Sequence, residues 1–376
     1  MAAEKRDLTQ IVKQFRIDGD FLGAEPYGSG HINETYAARF RPARGETRYI
    51  LQRINHGIFL EPEKLMENVV RVTAHLRDKI VKKGGDPLRE TLTVIPTLDG
   101  KSVLRTGEGD FWRAYVFIEK ATTHDVVSNL EMVYEASKAF GLFQKDVADL
   151  PGGRLHETIV NFHHTRSRFE AFQASLKRDA KKRASSVRKE IAFAEKRASD
   201  ASRLVDLLEK GVLPERVTHN DTKLNNVMMD DATGKGICVI DLDTVMPGLP
   251  MYDFGDSVRI GASTAAEDER DLARVDFSLD MFDCLARGYL ETASGFLTKA
   301  EIAELAFSAK LMTLECGMRF LTDHLNGDVY FRIKREGHNL DRCRTQFKMV
   351  ERMEERMGQM QAVIRKYTDP TPLHRS

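Results

Sequence analysis

The sequence predicts an α+β protein of two lobes, a small β-rich lobe over residues 1–118 and a large helical lobe over 119–376. Before Ile118, short runs rich in β-branched and aromatic residues are bounded by Gly, Pro or charged turns. After it, apolar residues recur every three or four positions over long stretches. One segment breaks the helical character: in Leu224–Val245, NVMMD and ICVID flank the turn sequence DATGKG and read as a β-hairpin.

In chain order, the expected strands are Phe21–Tyr27, Thr35–Phe40, Tyr49–Ile54, Thr91–Leu98 and Phe111–Ile118. Between the third and fourth lies one helix, Pro62–Val81, with proline tolerated in its first turn and Gly84-Gly85 ending it. Leu65, Val69, Val72 and Leu76 share one face, expected against the sheet. The helical lobe is expected to contain Met132–Ala148, Arg166–Ala184, Ser186–Lys210, Glu269–Ser294, Lys299–Leu325 and Arg342–Tyr367. The basic run Lys177–Arg188 lies on such helices, with apolar residues interspersed, and reads as a solvated helix face.

Composition excludes several function classes. Lys+Arg and Asp+Glu balance at 57 each, so no global field favours nucleic acid or an anionic membrane. The longest apolar runs are too short to span a bilayer, and the charged N-terminus MAAEKRDLTQ lacks the apolar core of a secretory signal. Cys238, Cys284, Cys316 and Cys343 are scattered without metal-site spacing, which predicts reduced, mostly buried thiols in a cytoplasmic protein.

The chemistry gathers in VTHNDTKLNNVMMD, residues 217–230. His219, Asp221 and Asn226 follow the spacing H-x-D-x-x-x-x-N of the protein-kinase catalytic loop, which makes Asp221 the candidate base for a substrate hydroxyl. A hairpin turning at Thr233-Gly234 pairs Val227 with Ile240, and hence Asn226 with Asp241, at about 5 Å between Cβ atoms. An amide oxygen and a carboxylate so placed suit Mg²⁺, with Asp243 as a second carboxylate ligand. Asp253-Phe254-Gly255 spells the kinase metal tripeptide, but it lies beyond the hairpin. Asp253 is therefore expected to cap a helix or to buttress the catalytic loop by a hydrogen bond.

Gly28-Ser29-Gly30-His31-Ile32-Asn33 forms a turn between the first two strands, where glycines let backbone N–H groups approach phosphates. Asn33 stands where the kinase pattern has a third glycine, and Asn tolerates positive φ. The third strand, YILQRIN, carries no lysine. Arg53 is a candidate cation for the phosphates, paired with Glu67 or Glu63 on the following helix, and Gln52 on the opposite face is the competitor.

HNDTKLNN (219–226), VIDLDTVMPG (239–248) and YDFGDSVR (252–259) resemble the aminoglycoside phosphotransferase-like kinases, and among them most resemble the N-acetylhexosamine 1-kinases. GSGHINETY (28–36), FHHTRSRF (162–169) and GMRFLTDHLNGDVYF (317–331) are similar to that subgroup too. The resemblance implies a protein-kinase-like two-lobed fold, with a nucleotide-binding lobe over 1–118 and a lobe over 119–376 holding the catalytic loop and a sugar site. It implies ATP as phosphoryl donor, Mg²⁺ as cofactor and a free N-acetylhexosamine (GlcNAc or GalNAc) as acceptor through its anomeric hydroxyl. By position it makes Asp221 the base, Asn226 and Asp241 the magnesium ligands, and Gly28, Ser29 and Gly30 the phosphate cover. His31, Asn33, Arg53, Phe117 and Glu119 are then expected beside the nucleotide.

His163, His164 and Arg166, together with Glu315, Arg319 and Asp323, are the candidates for sugar recognition; Glu315 and Arg319 also sit at the i,i+4 spacing of an ordinary helical ion pair. Two rival readings stay open. One is a kinase of another small hydroxylated molecule, such as an aminoglycoside, a choline-like alcohol or an amino alcohol. The other is an inactive nucleotide-binding scaffold.

Overall fold

The structure, a computed structural model, describes residues 7–28, 30, 32–43, 45–127 and 129–369. Along the chain its elements are α1 (Thr9–Val12), β1 (Asp20–Pro26), β2 (Glu34–Arg41), β3 (Thr47–Ile54), α2 (Pro62–Lys82), β4 (Val94–Ile95), β5 (Leu104–Arg105), β6 (Phe111–Val116) and β7 (Ala121–Thr122). There follow α3 (Leu130–Val147), α4 (Thr165–Arg178), α5 (Arg188–Glu195), α6 (Ala198–Glu209), β8 (Arg216–Thr218), β9 (Val227–Asp230), β10 (Gly236–Val239), β11 (Met246–Gly248), α7 (Pro250–Gly261), α8 (Leu279–Ala293), α9 (Lys299–Asn326) and α10 (His338–Thr368). The fold is mixed α+β, with a β-sheet N-terminal region and a helical C-terminal region.

Packing divides the chain into two units. The first comprises 1–125, 149–160 and 227–246; the second comprises 126–148, 161–226 and 247–376. The hairpin β9–β10 thus belongs by its packing with the N-terminal sheet region and not with the helices around it in sequence.

In the first unit the main sheet runs β1-β2-β3-β6-β4, with β5 also on β6. Alternation along β2 and β3 buries Tyr36, Ala38, Phe40 and Leu51, which pack with Trp112 and Ala114 of β6 and with Leu8, Val12 and Phe15. Leu65, Val69, Val72 and Leu76 of α2 are buried, as their spacing requires. Beneath the smaller sheet β10-β9-β7, Ile118, Ala121, Met228 and Cys238 form a separate core. In the second unit, Leu249, Phe254, Phe282, Tyr289, Leu305 and Met349 lie in the largest apolar cluster, drawn from α7, α8, α9 and α10.

Several expected elements are shorter than their patterns, the helix over Arg166–Ala184 among them, which ends at Arg178. The strand over Thr91–Leu98 contracts to β4, because Pro96 offers no N–H to a ladder and Asp86–Glu90 forms a turn with backbone bonds to the Asp86 carbonyl. The helix over Ser186–Lys210 breaks at Arg197, whose guanidinium donates to the Phe193 carbonyl at the end of α5 and pairs with Glu354. The helix expected from Glu269 begins only at Leu279, where the Ser278 hydroxyl accepts the Met281 N–H. All four cysteines are free thiols, and among the described residues no helix is long and apolar enough to cross a membrane.

Candidate active site

The loop between β8 and β9 is held from several sides within the helical unit. Asn220 adopts φ 65°, a left-handed conformation that asparagine tolerates better than most residues. This turns the chain sharply, so that the N–H groups of His219 and Asn220 both point at the Asp253 carboxylate, at 2.8 and 2.7 Å. Gln144 donates to the same carboxylate, the Tyr289 hydroxyl donates to Gln144, and Thr222 donates to the Asp253 carbonyl. Asp253 sits in the first turn of α7 and is 1% exposed. Burial pushes its carboxyl up, and His219 with the two backbone N–H groups opposes that. The buttressing alternative for Asp253 therefore holds. A Cβ on Gly248 would lie 2.3 Å from Thr218 Oγ1, so close approach beside this loop requires glycine there.

His219 is fully buried, with its ring edge-on to Phe140 and Phe143, and its Nδ1 accepts the Asp221 N–H at 3.3 Å. The Asp221 side chain keeps 21% exposure and pairs with Lys223 at 2.8 Å. Asn226 donates its amide to the Asp221 carbonyl at 2.8 Å and to Asp221 Oδ2 at 3.1 Å. Burial alone would raise the Asp221 carboxyl; Lys223, His219 and Asn226 more than offset it and hold it below the usual carboxylate range. Asp221 is thus an ionised acceptor at neutral pH, on a loop whose backbone has almost no freedom.

Beside it in the same unit lies a cationic cluster around one acid. His163 Nε2 bonds the Asn220 carbonyl at 2.9 Å. Glu315 Oε1 has Arg168 Nε and Arg319 Nη1 each at 3.6 Å and His163 Nδ1 at 3.9 Å. All three are too long for hydrogen bonds, and both Glu315 Oε1 and His163 Nδ1 are buried without a partner. Burial would raise the Glu315 carboxyl, but Arg319, His163 and Arg168 hold it at about 2. Arg319 also lies against the rings of Phe162, Tyr330 and Phe331.

Three sequence expectations fall outside this cluster. Arg166 pairs with Asp206 and Glu209 on α6, and His164 caps α4 through the Ser167 N–H. Asp323 accepts the N–H groups of Val329, Tyr330 and Phe331 at 2.8–2.9 Å, which makes it the fastener of that loop. Arg168 is an addition that the sequence reading lacks; its one signal is its place in FHHTRSRF, two residues past Arg166.

The first unit carries the remaining expected residues. The β9–β10 ladder pairs Val227 with Val239, not with Ile240: it opens at Gly236 on Met229, two residues short of the expected register, and the bulge between Gly236 and Cys238 recovers only one. Asn226 therefore has no cross-strand pairing with Asp241, and the register expectation is corrected. Asp241 lies past the end of β10 at φ 58°, again a left-handed conformation accessible to Asp.

Asp243 is 2% exposed, with Oδ1 taken by the buried Arg113 guanidinium and Oδ2 by Asn33 Nδ2 at 2.6 Å. It is an ion-pair partner, not an open metal ligand. Arg113, on β6, is the buried cation of this region, and Gln52 accepts from its Nε at 3.0 Å. Arg53 instead pairs with Glu34 at 2.6 Å and Asp110 at 2.8 Å, neither of them on α2, while Glu67 takes His156. Arg53 sits opposite Glu34 on β2 and Trp112 on β6, so its charge is answered within the sheet.

Gly28 has φ 81°, and a Cβ at either Gly28 or Gly30 would meet nothing within 4 Å. Ser29 and His31 lie outside the described residues. Asn33 does not share the positive φ expected for it. Phe117 is stacked under Arg48 at 3.7 Å and edge-on to Tyr27, and Glu119 is the ion-pair partner of Arg48.

A carboxylate kept ionised on a pinned loop, with an amide against it, is an arrangement that phosphoryl-transfer enzymes of kinase type use to receive a hydroxyl proton. Residues 23–286 match the phosphotransferase enzyme family, APH, and the chain belongs to that family. Among solved structures it is similar to a microcompartment-associated aminopropanol kinase, at 14% identity and TM-score 0.56, over 94% of this chain and 97% of that one. It is equally similar to a spectinomycin phosphotransferase in complex with ADP and spectinomycin, at 13% identity and TM-score 0.56, covering 96% and 100%. A third is an amicoumacin kinase in complex with AMP-PNP, Ca²⁺ and Ami, at 12% identity and TM-score 0.56, covering 92% and 94%. These likenesses concern the fold.

Proposed function

We propose that this phosphotransferase moves the γ-phosphoryl group of ATP to the anomeric hydroxyl of a free N-acetylhexosamine, giving the sugar 1-phosphate and ADP. Asp221 orients the hydroxyl and takes its proton as the sugar oxygen bonds to phosphorus and the bridging P–O bond to ADP breaks. An anomeric hydroxyl is more acidic than an ordinary alcohol, so a carboxylate held low is a sufficient base.

Asn226 and Asp241 are the magnesium ligands in this reading. The Asn226 amide nitrogen is committed to Asp221, which leaves its oxygen end for a cation. Amide and carboxylate oxygens are the hard donors Mg²⁺ takes, and Mg²⁺ ordinarily uses few protein ligands beside substrate phosphates. Bound there, the ion would neutralise charge developing on the phosphates. Gly28 and Gly30 offer backbone N–H groups to the phosphates, and Phe117 an apolar wall for the base.

The observation that carries the sugar reading is the charge around Glu315. Two arginines and a histidine surround one carboxylate, next to the loop that holds Asp221. A cationic acceptor calls for an acidic pocket, whereas a neutral polyol with an acetamido carbonyl is served by arginine donors and one buried acceptor.

A second reading is favoured by the substrates named for the solved relatives: a kinase of an amino alcohol or an aminoglycoside. One experiment separates them. The protein is incubated with Mg-ATP and, in parallel, GlcNAc, GalNAc, choline, aminopropanol and spectinomycin, and products are read by phosphorus NMR. A sugar 1-phosphate is expected; a sugar 6-phosphate, or phosphate only on a cationic alcohol, overturns the sugar reading.

A further inference from the structure

In the sequence pattern, Asn33 occupies the place of a third glycine, and its tolerance of positive φ accounted for it. The structure removes that account, because Asn33 keeps an ordinary φ. Its side chain instead joins three segments of the first unit. Nδ2 donates to Asp243 Oδ2 at 2.6 Å, and Oδ1 accepts the Asn55 N–H, just past β3, at 3.0 Å. Asn55 returns a bond from its own amide to the Ile32 carbonyl at 3.3 Å. Both ends of the Asn33 amide are therefore used, one as donor and one as acceptor, which a glycine or alanine there could not provide.

What lies at the far end of the tether gives it meaning. Asp243 is two residues from Asp241, and Arg113 fixes its other oxygen. Arg113 is in turn bonded to Gln52, and Gln52 to Thr35 at 2.9 Å. Thr35, Gln52, Arg113, Asp243, Asn33 and Asn55 thus form a continuous polar chain from β2 through β3 and β6 to the segment after β10, closing on the glycine turn. A bond to a carboxylate is among the stronger kinds, and this one is half-buried.

We propose that Asn33 is a positioning residue for the nucleotide: through Asp243 it locks the glycine turn to the segment that carries Asp241, so that one element sets both. This rests on the reading of the turn as phosphate cover and Asp241 as magnesium ligand. An untethered turn samples other placements, and apparent affinity falls by the fraction of time it is correctly placed. A glycine at position 33, although nearer the kinase pattern, makes the site worse.

The test is steady-state kinetics on N33G, N33A, D243N and the N33A/D243N double variant, with Mg-ATP binding to each by calorimetry and folding by thermal unfolding. N33G and N33A are expected to raise KM and Kd for Mg-ATP about tenfold, with the KM for the accepted sugar or alcohol unchanged. D243N perturbs the Arg113 pair too and leaves a neutral oxygen in place of the charged acceptor, so it is read only in the cycle: the loss of ATP affinity in the double variant should fall short of the sum of the two single losses. N33G with wild-type ATP parameters, or additive N33A and D243N effects, overturns the tether while the kinase reading stands. Wild-type protein that fails to bind Mg-ATP overturns both.

Discussion

Asp253 accepts the Asn220 N–H at 2.7 Å, so the residue that opens the sequence Asp-Phe-Gly is a clamp on the loop carrying the candidate base. Its second oxygen takes the His219 N–H at 2.8 Å and the Gln144 amide. Nothing of the carboxylate is left facing a ligand, and the strained φ of 65° at Asn220 is held by these bonds.

Asp253→Ala strands two buried N–H groups, each costing about 1–3 kcal/mol. A drop in thermal stability is expected, along with lower kcat, but residual activity should keep the wild-type magnesium dependence. Asp241→Ala should instead show no turnover and nucleotide binding indifferent to magnesium. Titrating Mg²⁺ against both variants checks this, and an exchange of their phenotypes would reverse the two assignments.

Asp221→Asn keeps the size and one acceptor of the side chain while removing its charge. Turnover is expected to fall by about 10²–10⁴, the usual worth of a general base, with both KM values little changed. A near-normal kcat with a greatly raised acceptor KM would make Asp221 a binding residue only.

Lys223 is the largest influence lowering the Asp221 carboxyl, against burial that raises it. Removing the ammonium in Lys223→Met must therefore move that pKa upward. In the wild type the acid limb of the kcat–pH profile should lie below the ordinary carboxylate range, and in the variant it should shift toward neutrality. An acid limb unmoved by the substitution would show that another group controls it.

Glu315 carries the stability prediction. Its carboxyl is brought from an ordinary 4.5 to about 2, so it favours the folded state above pH 4.5, and that contribution is lost as pH falls toward 2. Glu315→Gln leaves Arg319 and Arg168 beside a neutral group and should cost on the order of 3 kcal/mol at pH 7. The gap between variant and wild-type unfolding should narrow below pH 4.5. A gap constant from pH 7 to pH 3 would mean that the carboxylate is not the stabilising form.

The parts of this fold set by local chemistry are legible in the sequence. The α2 stripe, the glycine turn and the His219–Asp221–Asn226 spacing all depend on residues near one another in the chain. What escaped depends on partners far apart. The cation of the sheet is Arg113, on β6, because β3 already spends Arg53 on Glu34 and Asp110; no lysine pattern on one strand reveals that. The hairpin register differs by one residue because the turn closes early, at Gly236 on Met229, and nothing in DATGKG marks where the ladder begins. Arg166 and Arg168 look alike in sequence, yet a helix sends one to α6 and the other to Glu315.

The first unit is assembled from 1–125, 149–160 and 227–246, and this has a consequence for a chain made from its N-terminus on a ribosome. The sheet of β1 to β6 can form early, but Ile118 and Ala121 acquire their apolar partners Met228 and Cys238 only after the whole stretch 126–226 has emerged. Until then that face is a candidate for chaperones. A nascent chain stalled at residue 125 should be open to protease there, and one released past residue 246 should not. The N-terminal unit is therefore not an independently finished module, and translation must run well beyond it before it closes.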